Sequence, residues 1–318
     1  MRAPKRRSLQ ILRTAGKTRA STSLAHVERV NLAIDYIVGH LGRRLKLADV
    51  AHAAMLSPFH FHRVFQALVG ETVTDFVKRL RLDRALFMMA HRREPSLTKI
   101  ALSCGFSSSS DFSRCFRQRF GASPRDFDIN AWRDAHRQEI EATVPKAARL
   151  HLKKLPHASN PDAFRVTIRE LPARTVAYIR VSNPYRSFDA VVKAIGRLET
   201  WAERNGLADR QWLGYQWEKP EITALENCAY YTAVEAEHFA PKGEIGRYRF
   251  PSMTVAQIEM RGGVDLDLRL FHWFYGVWLP RSRYVPDNWP GFEAFIGRPL
   301  THGTDYFELN AQIPVRPA

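Results

Sequence analysis

Cysteine is scarce. Cys104, Cys115 and Cys228 are the only three in 318 residues, too few and too scattered for a disulfide framework or a C-x-x-C metal site. That pattern suits a reducing compartment, and no metal or cofactor is expected. No stretch approaches the ~18 apolar residues of a membrane span. The N-terminal MRAPKRRSLQILRTAGKTRASTS lacks the apolar core of a secretory signal. It is basic, Ser-rich and free of acidic residues, and reads as a flexible arm over residues 1–25, with a transit peptide as the alternative. A cytoplasmic protein without membrane association is the expectation.

Acidic residues are scarce in one half only. Residues 1–160 hold 29 Lys and Arg against 13 Asp and Glu, whereas residues 161–318 hold 19 of each. The whole net charge of +16 therefore lies in the first half. Such an excess suits a polyanion, because Lys and Arg gain affinity by releasing counterions condensed on a phosphate backbone. Double-stranded DNA is the first partner to consider. The length is about twice the ~150-residue prior for one domain, so two are expected.

Periodicity divides the chain in the same way. In HVERVNLAIDYIVGHL the residues Val27, Val30, Ile34, Ile37, Val38 and Leu41 recur at steps of three and four, which predicts an amphipathic helix. Helical patterns continue to residue 141. Residues 142–163 are rich in Ala, Lys and Pro without a clean period and read as a linker. Beyond them, β-branched and aromatic runs alternate with helical patterns, which predicts an α+β second half.

Each half contains a repeat. Phe61, Arg63, Phe65, Gly70, Asp75 and Phe76 recur 51 residues on as Phe112, Arg114, Phe116, Gly121, Asp126 and Phe127, and Leu47, Val50 and Ala51 are echoed by Leu97, Ile100 and Ala101. Each copy predicts a short helix, a turn and a second helix. In the second half, Thr175-Val176-Ala177-x-Ile179 recurs as Thr254-Val255-Ala256-x-Ile258, which suggests a duplicated β-α-β-β unit.

In the first copy Ser57 is placed to cap a helix whose Phe61 and Phe65, at i and i+4, form a face for burial. Other faces present Phe59, His62, Arg63 and Gln66, and the N-terminal turns are the part that enters a major groove. Arg63 is the natural base reader, since arginine can engage guanine O6 and N7 together. Phe59 reads equally well as core. The second copy offers Ser107 to Ser110 as cap and polar contacts, Asp111 as an acceptor for cytosine, and Arg114 as the counterpart of Arg63. Between the copies, residues 71–93 predict a helix of about 20 residues, ~30 Å long. That is close to one turn of B-DNA, so readers at its two ends reach successive major grooves. His60 and His62, two apart, do not share a helix face and give no metal site. Cys104 and Cys115 read as small buried hydrophobes.

The segments LADVAHAAMLSPFHFHRVFQALVGETVTDFVKRLRLDRA and LTKIALSCGFSSSSDFSRCFRQRFGASPRDF resemble the AraC/XylS family of transcription regulators over residues 27–128. The resemblance implies a double helix-turn-helix joined by a long helix. It places base readers at Phe59, His62, Arg63, Ser109, Ser110, Ser113 and Arg114, and it makes RNA polymerase a further candidate partner. Asp128 departs from the Arg usual in that family, which removes a phosphate or helix-end contact.

The second half is aromatic. The helical pattern 188–206 has one stripe, Phe188, Val191, Val192, Ile195, Leu198 and Trp201, and should pack on a sheet. The pattern 265–279 is apolar nearly all round, which fits burial between a sheet and something else. Glu293 lies in PGFEAFIG between Phe292 and Phe295. A carboxylate beside aromatic faces can hold an organic cation or, with a raised pKa, act as a general base. An outward strand position is equally consistent. The order TVAYIRVSNPY, NCAYYTAV, WLPRS, FEAF and YFELNAQIPV resembles the GyrI-like small-molecule-binding domain over residues 164–316. That resemblance implies two pseudo-symmetric units around a pocket for a hydrophobic or cationic aromatic effector, with Glu293 as the pocket glutamate and Tyr185, Tyr230, Trp273 and Trp278 as wall residues. The motifs RGGVDLDL and NCAYYTA depart from the family pattern.

The expectation is a multidomain regulator: an arm (1–25), an all-α double helix-turn-helix (26–141), a linker (142–163) and an α+β domain of two β-α-β-β units (164–316). It is not expected to be an enzyme, and no catalytic residue is assigned. The alternative is a DNA-binding module fused to a Glu293-dependent hydrolase acting on a reactive aromatic compound.

Overall fold

The computed structural model describes residues 6–91, 96–143 and 159–318, with the backbone alone for residues 6–22. Helix α1 runs from Arg6 to Gly39. The flexible arm expected over residues 1–25 is thus helical from Arg6, in keeping with a stretch that carries several Leu, Arg and Ala and has no Pro between Arg6 and Gly39. The expected linker falls mostly outside the described residues.

The first helix-turn-helix comprises α2 (Leu47–Ala53) and α3 (Pro58–Val69), and the second comprises α5 (Leu97–Ser103) and α6 (Ser109–Phe120). Between them α4 (Val73–His91) provides 19 residues, about 28 Å of helix. The reader helices are capped as their sequences suggest: Ser57 accepts from the His60 N–H and Ser108 from the Asp111 N–H. Each copy has its own core. Ile34, Ile37, Val50, Phe61 and Phe65 pack on the start of α4, and Ile100, Cys104, Phe112 and Phe116 pack on its end. The pairs Phe61/Phe65 and Phe112/Phe116 both lie edge to face with ring centroids 5.5 Å apart, so one packing solution is used twice. The turns differ. Gly105 takes φ +89°, and a Cβ there would collide with the Leu41 carbonyl, whereas the matching residue of the first copy, Met55, adopts φ 53°, an unfavourable backbone state for an unbranched L-residue. Asp128 gains a local role: its carboxylate accepts from the Ala131 N–H and caps α7 (Ile129–Thr143).

The second half forms an antiparallel sheet from β1 (Thr167–Leu171), β2 (Arg174–Ser182), β3 (Trp212–Tyr215), β4 (Ala229–Glu235), β5 (Ile245–Phe250), β6 (Met253–Gly262), β8 (Phe292–Phe295) and β9 (Phe307–Pro317), with β7 (Tyr284–Pro286) paired to β9. The order is β1-β6-β9-β8-β3-β4-β2-β5. The duplication read from the sequence is explicit in this order. The unit β2, α8 (Phe188–Arg204), β3, β4 and the unit β6, α9 (Val264–Trp273), β8, β9 meet where β3 pairs with β8. The flanking strands are exchanged: β1, which precedes β2, pairs with β6, and β5, which precedes β6, pairs with β2. Along α8, Val191, Ile195 and Leu198 are buried, but Phe188 of the expected stripe is 47% exposed because it occupies the first turn, beyond the sheet's cover. The opposite face of the sheet carries Tyr178, Tyr215, Tyr231, Phe250 and Phe292, and α1 docks there, with Tyr178 Oη donating to Asp35 at 2.8 Å.

Candidate functional site

The helix-turn-helix half presents two matched exposed surfaces at the positions expected to read DNA. Phe59 is 77% exposed, which excludes the core reading, and the Arg63 guanidinium lies 6.0 Å from its ring. Arg63 is exposed and His62 half-buried on α3; on α6, Ser110 and Arg114 are exposed and Ser109 and Ser113 half-buried. The two copies differ electrostatically. Arg114 Nη2 donates to Asp111 at 2.8 Å, and Ser107 Oγ donates to the other oxygen of the same carboxylate at 3.1 Å. Asp111 is thus engaged within its own helix turn rather than free to accept from a base, and it holds Arg114 in place.

The second candidate site is a cavity of about 620 Å³, within the usual range for small-molecule sites. Its floor is the centre of the sheet. Glu293 on β8 faces Gly214 across the β3/β8 pair, and Tyr230 Oη donates to Glu293 Oε2 at 2.6 Å. This contact needs glycine at position 214, because a Cβ there would run into the Tyr230 hydroxyl and the Glu293 carboxylate. Burial pushes the Glu293 carboxyl up, while the Tyr230 hydrogen bond works in the opposite direction. Asp267, on α9, lines the same cavity, and burial together with the charge of Glu293 pushes its carboxyl up strongly. Its Oδ1 is buried without a hydrogen-bond partner.

Of the wall residues expected from the sequence, Tyr185 lines the cavity and is hydrogen-bonded to Gln216. Tyr230, also expected as a wall residue, does not line the cavity and reaches it only through its hydrogen bond to Glu293. Trp273 and Trp278 are corrections: neither lines the cavity. Trp273 turns into the core against Phe164, and Trp278 stacks on Phe274 and Tyr284. The aromatic neighbours of Glu293 are also not those flanking it in sequence, since alternation along β8 sends Phe292 to the opposite face. The apolar segment after α9 winds as a π-turn over Phe274–Trp278, and its Tyr275 packs on Phe87 and His91 of α4. The first half is therefore the other body that this segment was expected to contact.

Residues 50–128 match the helix-turn-helix domain family, and residues 164–316 match the GyrI-like small molecule binding domain. The probable transcriptional regulator LumQ of Photobacterium leiognathi is 39% identical over 105 residues, 32% of this chain and 42% of LumQ. The HTH-type transcriptional activator RhaS of Escherichia coli is 34% identical over 119 residues, 37% of this chain and 42% of RhaS. Among solved structures, a transcriptional regulator with an AraC-type DNA-binding domain from Chromobacterium violaceum is 27% identical, covering 35% of this chain and 91% of that one, with a TM-score of 0.28. This chain thus carries a region that matches a helix-turn-helix domain followed by one that matches a GyrI-like small molecule binding domain. It spans about 42% of the length of these curated relatives.

The GyrI-like cavity is closed by the helix-turn-helix half. Arg133, Asp134 and Arg137 of α7 form part of its wall, and the loop between β3 and β4 carries several of the contacts between the halves. Glu221 on that loop accepts from Arg133 Nη2 at 2.8 Å and lies 2.8 Å from His91 Nε2. Burial opposes its charge, but His91 and Arg133 outweigh burial and hold the carboxyl down at about 2. One residue on, Ile222 inserts into the core of the second helix-turn-helix, and its carbonyl accepts from Trp132 Nε1 at 2.9 Å. Thr223 Oγ1 then donates to buried Asp83 of α4 at 3.0 Å, and Glu218 lies 4.0 Å from Arg79 of the same helix. Sequence reasoning missed Gly214, Asp267, Glu221 and the two arginines of α7. Nothing in their local patterns marks them, because each gains its place at the site from other elements of the fold.

Proposed function

We propose that this protein is a cytoplasmic transcription regulator in which residues 26–141 bind an asymmetric DNA site and residues 164–316 bind a small aromatic effector with a cationic group. The observation that carries the reading is the pairing of two exposed reader surfaces, at opposite ends of α4, with a cavity whose acidic floor lies between the same two halves. Phe59, His62 and Arg63 contact one major groove and Ser109, Ser110, Ser113 and Arg114 the next. Glu293 faces the cationic group of the effector, Tyr230 orients the Glu293 carboxyl, and Tyr185 forms part of the wall. Because α7 and the loop 216–223 touch both cavity and reader cores, an effector that prefers one docking of the halves shifts the population competent for DNA. RNA polymerase is the further partner that activation requires.

The test is a sequence-selection assay on the full chain with Arg63→Ala and Arg114→Ala, beside a thermal-shift screen of hydrophobic cations on wild type and Glu293→Gln. Each arginine variant is expected to lose preference at its own part of the site, at ~1–3 kcal/mol. The cation hits are expected to weaken in the Glu293 variant. Unchanged base preference in both variants overturns the reader assignments. Consumption of a hit compound with release of a product moves the second domain to the hydrolase reading.

A further inference from the structure

The two sides of the cavity differ in the ionisable groups they offer, carboxyls on the sheet side and guanidinium groups, together with Asp134, on α7. Glu293 and Asp267 lie on the GyrI-like side, and Asp267 retains a buried oxygen with no partner. On the opposite side stand Arg133 and Arg137 of α7. Arg133 is committed to Glu221. Arg137 is not used to fasten the halves together: its partners are Asp134 at 3.0 Å and Glu141 at 3.8 Å, both on its own helix, and the Asp134 side chain is half exposed. Its contacts within one helix leave Arg137, among the described residues, without a partner from the other half of the protein, and the half-exposed Asp134 is the weaker anchor of the two. His272 of α9 also lines the cavity; burial and then the charge of Arg137 push its pKa down to about 4, so it is neutral near pH 7 and adds no cation of its own.

We propose that the effector is bipolar. Its amine or delocalised cation sits against Glu293 and Asp267, and its carboxylate or other acidic group sits against Arg137 on the DNA-binding half. This rests on the cavity being the effector site and adds the ligand's second end and the half of the protein that reads it. A cation without an acidic group satisfies only the floor. An effector with both ends bridges the two halves, and planar two-point pairing with a guanidinium sets its orientation.

The probes are tetramethylrhodamine free acid, a zwitterion at neutral pH, and its ethyl ester, which has the same cation with the acid masked. Binding to the full-length protein is followed by fluorescence anisotropy. The free acid is expected to bind at least five-fold more tightly than the ester. Arg137→Gln is expected to abolish that ratio and Arg137→Lys to retain only part of it, while Glu293→Gln weakens both dyes. The ratio is the readout, so a general loss of packing in a variant does not mimic the effect. If the ester binds in a Glu293-dependent way but as tightly as the acid, or if Arg137→Gln shifts both dyes equally, the bipolar ligand is overturned and the cation site stands. If neither dye responds to Glu293→Gln, the cation site falls, and the bipolar ligand with it.

Discussion

Gly214→Ala tests whether the floor of the cavity is set by backbone geometry. Gly214 lies at the centre of the sheet, opposite Glu293 on β8 and Thr232 on β4. A methyl group there meets a Tyr230 ring carbon at 2.7 Å as well as the hydroxyl and the Glu293 carboxylate. With central strands on both sides the backbone cannot retreat, so the tyrosine must swing away. Overpacking of this kind costs about 1–3 kcal/mol. Parting Tyr230 from a buried carboxylate removes a hydrogen bond worth about 1.5–3 kcal/mol. The sum, about 2.5–6 kcal/mol, corresponds to a fall in melting temperature of roughly 5–24 °C for a unit of this size. Urea denaturation and cation-dye anisotropy on the full chain give both readouts, and dye affinity is expected to fall at least ten-fold. Gly196→Ala is the control: it lies in α8 with nothing within 4 Å of the added methyl, and it should stabilise by up to about 1 kcal/mol. A Gly214→Ala protein that melts and binds like the wild type would falsify the claim that Tyr230 and Glu293 cross over this residue.

Further predictions follow from the buried charges and the readers. Burial pushes the Asp35 carboxyl up to about 8, against the hydrogen bond from Tyr178; the unfolded chain loses this proton near pH 3.8 while the folded chain keeps it to about 8, so stability falls as pH rises through that window. Asp35→Asn is therefore expected to add about 1–3 kcal/mol at pH 8 and almost nothing at pH 4, and equal effects at the two pH values in urea titrations would refute the assignment. Glu221→Gln leaves His91 and Arg133 without their shared carboxylate and should cost about 2–4 kcal/mol, seen as separation of one unfolding transition into two; a single unshifted transition contradicts the docking role of the loop. Asp111→Asn frees Arg114 from its ion pair and is expected to alter base preference at the second reader while leaving the first unchanged, and a selection assay identical to wild type would show that the pair does not restrain the reader.

Much of the helix-turn-helix half was legible because its signals are local. Ser57 and Ser108 precede their helices, the Phe pairs recur at i and i+4, and the 51-residue repeat copies them. Phe59 was ambiguous because an aromatic residue in a first helical turn serves core and surface equally, and only its exposure decides. In the GyrI-like half, the repeat exposed the duplicated β-α-β-β unit, and Glu293 and Tyr185 were found by resemblance. Trp273 and Trp278 were misassigned because a helix that is apolar nearly all round does not show which side faces a cavity. The π-turn at Phe274–Trp278 further changes the rotation of each side chain after Trp273 from that of a regular helix.

The sequence by itself determined two copies of a capped helix-turn-helix, the long helix that joins them, the basic character of that half, and a duplicated α+β unit in the other. These depend on spacing within 20 residues, charge count and repetition. Only the tertiary structure decided what the cavity is made of. Glu293 faces it because β3 and β8, almost 80 residues apart, pair over a glycine. Asp267 joins it because α9 covers the same part of the sheet, and α7 closes it because Ile222 and Thr223 seat the GyrI-like domain in the helix-turn-helix core. Such a site is a product of long-range packing, in which burial and opposing charge act on side chains that no local pattern brings together.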